Sequence, residues 1–143
     1  AAAALNLWGY IVHELYQTLD RCANRGFAKD EDGVHSVDEA VAYWIGSSQE
    51  TGSQKKGHLL YRLTEEGSEL FDTETLDGQS RANSKILKLF KEAALHLTFN
   101  HACKERESAT MNLGFMINRL TSQMVVPLIQ HLIYNLKRND RSR

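Results

Sequence analysis

Leu5, Trp8, Val12, Leu15, Leu19 and Cys22 follow one another at steps of 3, 4, 3, 4 and 3. Such steps return to one side of a helix, so this apolar stripe predicts a helix from about residue 4 to about residue 24. The same period recurs in later segments, and none shows the every-other-residue alternation of a half-buried strand. The chain therefore reads as all-α, an antiparallel bundle of about five helices around one core.

Asn24 to Gly26 ends the first helix. Ser36-x-x-Glu39 matches a capping box and predicts the start of a second, which turns Val37, Val41 and Trp44 or Ile45 inward and stops near Gly46. The polar stretch 47–57 has no period and reads as a loop. A third, weaker helix covers His58 to Phe71, with Leu59, Leu60, Leu63, Leu70 and Phe71 at helical offsets; its Gly67 costs about 1 kcal/mol relative to Ala. After a turn over 72–79, a long run from Ser80 to about Lys104 places Ile86, Phe90, Ala93, Leu97 and His101 on one face. The last segment, from about Ala109 to Leu136, turns Leu113, Ile117, Leu120, Met124 and Leu128 inward. Pro127, the only proline, removes a backbone donor and clashes one turn back. The last helix is therefore expected to kink or break between Gln123 and Pro127, with Val126 and Leu128 still facing the core.

At 143 residues and 42% hydrophobic content, the chain suits a single helical domain spanning residues 1–143. Its opening Ala-Ala-Ala-Ala, without Met or a signal segment, suggests a fragment or repeat unit of a longer product. Lys and Arg number 17 against 18 Asp and Glu. That balance creates no field to gather nucleic acid or an anionic membrane surface. The most apolar run, Met124 to Tyr134, is far shorter than the roughly 20 residues of a membrane span. Two cysteines are too few for a disulfide scaffold and lack zinc or CxxC spacing, so they either pair with each other or are buried thiols.

Few residues carry chemistry at a useful spacing. His35 lies three residues before Asp38 and four before Glu39, so on a helix an imidazole and a carboxylate share a face, the start of a metal site that Tyr43 extends with a hard oxygen. The same carboxylates fit the first turn of a helix, where they complement its dipole and cap Ser36, with His35 just outside. His13 beside Glu14, and His96 five residues before His101, match no metal motif. Cys103 precedes Lys104 and Arg106, cations that lower a thiol pKa, but no His or Asp stands at an informative distance for nucleophilic catalysis. No Gly-x-Ser-x-Gly elbow or phosphate-cradling loop is present, so no enzyme is expected. Tyr10 and Tyr16 lie off the stripe set by Trp8 and Leu15. They are the candidate interface residues for a protein partner or a second copy of the chain.

The words Cys22-Ala-Asn-Arg25, Gly33-Val-His35-x-x-Asp38-Glu39-Ala-Val-Ala-Tyr43-Trp44-x-Gly46-Ser47 and Leu59-Leu-Tyr61-x-Leu63 are followed by Asn83-x-x-Ile86-x-x-Leu89-Phe90 and Gln123-Met-x-Val126-Pro127-Leu-Ile-Gln130. Along most of the chain from Tyr10 to Tyr134, this succession resembles the periplasmic iron-assimilation and high-carbon-dioxide-inducible protein family of algae. The resemblance implies a helical unit, often in tandem, exported to the periplasm, the extracellular space or the cell surface, with iron as the cofactor if a metal is bound. The family's cysteines in the loop after the third helix are absent from Glu65 to Gly78, which leaves Cys22 and Cys103 to form a disulfide. The expected role is a non-enzymatic module for assembly or adhesion, packing against copies of itself or other surface components. The alternative is an iron or other metal-binding module, with His35, Asp38 and Glu39 as ligands.

Overall fold

The computed structural model describes residues 2–23, 31–46, 58–99, 103 and 107–140. They form five helices: α1 (Ala2–Ala23), α2 (Glu31–Ile45), α3 (Leu59–Leu70), α4 (Arg81–Phe99) and α5 (Glu107–Asp140). Among the described residues the only extended pairing is a single bridge, Glu74 to Ser80, in the turn between α3 and α4. The all-α bundle is as the periodicity predicts. Its core joins Ile11, Leu15 and Cys22 of α1, Val37, Ala40 and Trp44 of α2, and Leu60 of α3. Ile86, Leu89, Phe90, Ala93 and Leu97 of α4 and Leu113, Ile117, Leu120 and Met124 of α5 complete it.

Three pairs fix how α1 and α5 run. Tyr16 reaches Asn118, Gly114 faces Leu19, and Cys22 Sγ lies 4.0 Å from Thr110 Oγ1. Numbers that rise on α1 fall on α5, so the two helices are antiparallel. Extending that register brings Ala2 level with Gln130.

α3 lies across one end of the bundle rather than along it. The Tyr61 carbonyl and the Ser68 hydroxyl, about 10 Å apart along a helix axis, both reach the single turn 80–83 that opens α4. Leu63 and Gly67 of the same helix meet neighbouring residues of α5, His131 and Gln130. Strict up-and-down alternation would put the C-terminal ends of α1 and α4 at opposite poles. The crossing of α3 removes one reversal, so both ends reach the same pole. There Cys22 and Cys103 form a disulfide with Cα atoms 4.5 Å apart.

Several sequence expectations are corrected. α2 begins at Glu31, so Ser36 is no cap: it is buried more than one turn inside the helix. The α1 core face runs through Ile11, Leu15, Thr18 and Cys22 rather than Leu5, which is exposed. α3 buries Leu60, Thr64, Glu65, Gly67 and Ser68 and leaves Leu59 and Leu70 outside, since it packs on a helix end that needs polar partners. α5 neither breaks nor restarts at Pro127, which sits inside one helix. The proline itself is buried and Val126 points outward. α4 ends at Phe99, and His101 lies outside the described residues.

Glycine matters at two positions. Gly46 ends α2 at φ +80° with its N–H on the Ala42 carbonyl, a left-handed C-terminal cap. Gly67 lies inside α3, where an added Cβ would sit 2.9 Å from Gln130 Oε1. Its helix penalty is the cost of bringing α3 close to α5.

Candidate functional site

Where α3 crosses α4, a buried polar knot forms. Ser80 caps α4, its hydroxyl accepting the Asn83 N–H at 3.3 Å. Glu65 reaches the same helix end from α3: its carboxylate accepts the Ser80 N–H at 3.0 Å and Asn83 Nδ2 at 2.6 Å. An anion there is favoured by the exposed N–H groups and by the helix dipole. Asn83 Nδ2 also donates to the Tyr61 carbonyl, and Asn83 Oδ1 accepts the Trp44 indole N–H at 3.0 Å. Trp44 and Asn83 are fully enclosed. Trp44, Tyr61 and Asn83, drawn from three separate words of the sequence, thus serve one structural purpose: they satisfy one another's polar atoms at a helix junction.

The proposed ligands lie elsewhere. His35, Asp38 and Glu39 are all exposed on α2. Among the described residues, no group of three or more His, Cys, Asp and Glu gathers closely enough to hold a metal ion. Glu39 instead accepts a hydrogen bond from the Tyr10 hydroxyl at 3.4 Å, and the Tyr10 ring meets Tyr43 edge to face at 4.7 Å between centroids. The Tyr43 hydroxyl, then partial desolvation, then the carboxylates of Glu14 and Glu39 push the Tyr10 phenol above its ordinary value, so it remains a neutral donor. Tyr16 donates to Asn118 at 2.7 Å. Both candidate interface tyrosines are therefore partly exposed rings whose hydroxyls strap α1 to its neighbours. Cys103 is held in the disulfide and is not the reactive thiol that Lys104 and Arg106 suggest.

A surface that the periodicity argument missed lies on α5. Its inward face carries Leu113, Ile117, Leu120 and Met124. On the opposite side, Val126, Ile129, Ile133 and Leu136 follow at steps of 3, 4 and 3, exposed by 37%, 49%, 36% and 60%, with exposed Leu132 beside them. Met111 and Phe115 continue this outward side toward the helix start, separated from it by Asn118, Arg119 and Ser122. The sequence held the signal, since Val126 and Ile133, like Ile129 and Leu136, are seven residues apart, the repeat of a helix that packs on both sides. From Ser108 to Asn139 the helix carries Arg119, Lys137 and Arg138 and no Asp or Glu.

Comparison of the chain with family models, with curated proteins and with solved structures returned no match. No described helix is long and apolar enough to cross a membrane.

Proposed function

We propose that this protein acts by contact rather than by catalysis, as an exported or cell-surface helical module whose outward α5 face packs against another protein surface. The observation that carries this reading is the stripe of Val126, Ile129, Ile133 and Leu136. Together with exposed Leu132 it makes one side of this stretch of α5 apolar, and apolar patches on single proteins are often functional. The Cys22–Cys103 disulfide supports an oxidising compartment, because cytosolic thiols are normally kept reduced. The resemblance to the algal surface family points the same way.

The test is a photo-cross-linking residue placed at Ile133 in the protein expressed in its native source. A cross-link to a defined peptide supports the reading. A protein that cross-links to nothing, yet binds stoichiometric iron through His35, Asp38 or Glu39 when purified without chelator, replaces contact with iron assimilation.

A further inference from the structure

The geometry points to Tyr10 and Tyr43 as a site of oxidative cross-linking, at which a one-electron oxidant joins the two rings through a carbon–carbon bond and staples α1 to α2. The oxidant it requires is of the class of a haem peroxidase acting with hydrogen peroxide. This goes beyond the contact reading and does not depend on it.

The first observation is contact. The two ring centroids lie 4.7 Å apart with their planes at 72°, at the short end of the roughly 4.5–7 Å found for packed aromatic pairs. Among the described residues no other two tyrosine rings meet. The second is access. Tyr10 is 40% exposed and Tyr43 37%, so an oxidant in solution reaches both. Tyr16, 42% exposed, is the internal control: it is as reachable as Tyr10, but it lies six residues further along α1, about 9 Å, and no tyrosine ring stands beside it.

The third is a proton acceptor. A phenol that loses an electron becomes strongly acidic and must shed its proton. The Tyr10 hydroxyl already donates to the Glu39 carboxylate at 3.4 Å, whereas that of Tyr16 donates to the Asn118 amide oxygen, which takes up no proton at neutral pH. The Tyr43 hydroxyl, then desolvation, then Glu14 and Glu39 keep the Tyr10 phenol protonated. Its oxidation therefore releases the electron and the proton together.

The chemistry balances on these groups. Each phenol gives up one electron and its hydroxyl proton. The two phenoxyl radicals pair their electrons in a bond between ring carbons ortho to oxygen, and the hydrogen on each joined carbon moves to its oxygen as the ring regains aromaticity. Peroxide takes the two electrons and two protons and leaves as two waters, so the protein becomes lighter by two hydrogens. Because α1 and α2 already hold the rings together, coupling within one chain outruns the encounter of two chains.

Treatment of the dilute, disulfide-bonded full chain with a haem peroxidase and hydrogen peroxide tests the site. The expected product shows dityrosine fluorescence, stays monomeric on a denaturing gel and melts at a higher temperature. After reduction and digestion, mass spectrometry should find the Tyr10 peptide joined to the Tyr43 peptide at least about tenfold more often than any pair containing Tyr16. Tyr10→Phe and Tyr43→Phe, each retaining wild-type helicity, should both abolish that product, and unfolding in urea before oxidation should erase the preference. Links only between chains, links through Tyr16 at equal frequency, fluorescence that persists in monomeric Tyr43→Phe, or the same preference in urea overturns the proposal.

Discussion

The Trp44 indole donates to Asn83 Oδ1 at 3.0 Å, and neither side chain meets solvent. Through that one amide, α2, α3 and α4 are held at a common point, since Asn83 also serves Glu65 and the Tyr61 carbonyl.

Removing the amide strands all three groups. Asn83→Ala should destabilise the fold by about 3 kcal/mol, the cost of leaving buried polar atoms unpaired, read as a lower urea midpoint with an unchanged slope. Asn83→Asp sets a second carboxylate beside Glu65. That variant should be weakest near neutral pH and recover as pH falls and one of the two carboxylates takes up a proton. Equal losses at both pH values would show that shape, not charge, dominates the site.

Reduction of Cys22–Cys103 should cost roughly 4 kcal/mol in the chain-entropy view, given a sequence separation of 81. Thiol titration of the denatured protein is expected to find none before reduction and two after it. The same loss should appear in Cys22→Ser with Cys103→Ser.

Gly67 and Gln130 should be coupled. In wild type, Gly67→Ala gains helix propensity of about 1 kcal/mol but pushes Gln130 Oε1, 2.9 Å from the new methyl, and disturbs the bond from Gln130 Nε2 to Thr73. The net change should be close to zero. In a Gln130→Ala background the obstruction is gone, and Gly67→Ala should stabilise by the full helical gain. A double-mutant cycle with no interaction energy contradicts the contact.

Desolvation first, then the charge of Glu65 and a hydrogen bond to it, push the Tyr61 phenol up from its ordinary value. The folded state holds a proton that the unfolded chain releases above about pH 10. The stability tied to this phenol is therefore intact below that pH and is lost as pH rises through the folded value. Urea midpoints measured between pH 9 and pH 11 should fall more steeply for wild type than for Tyr61→Phe.

How legible these features are in the sequence depends on whether one helix or several must be known. Ile86, Phe90, Ala93 and Leu97, or Leu113, Ile117, Leu120 and Met124, declare their burial by period alone, and the structure encloses all eight. The inward face of α3 does not, because Thr64, Glu65 and Ser68 are polar and become interior only when a helix end arrives to bond them. Pro127 argues for a break when α5 is read alone. In the bundle its ring is buried, and the helix continues to Asp140. Of the outward stripe the periodicity assigns only Val126, and assigns it to the core, since nothing local separates a residue covered by its own fold from one left outside. The disulfide followed from family resemblance, and its geometry waited on the crossing of α3.

The closed ring made by Cys22 and Cys103 contains all of α2, α3 and α4. A protease that cuts one peptide bond anywhere inside that ring yields a nicked molecule heavier only by the water consumed, still one covalent unit until a reductant is added. A cut in α5 beyond Gln130 severs its tail outright. A nick in the body of the protein thus leaves its pieces joined, whereas a cut just beyond Gln130 discards Ile133 and Leu136 and with them half of the outward stripe.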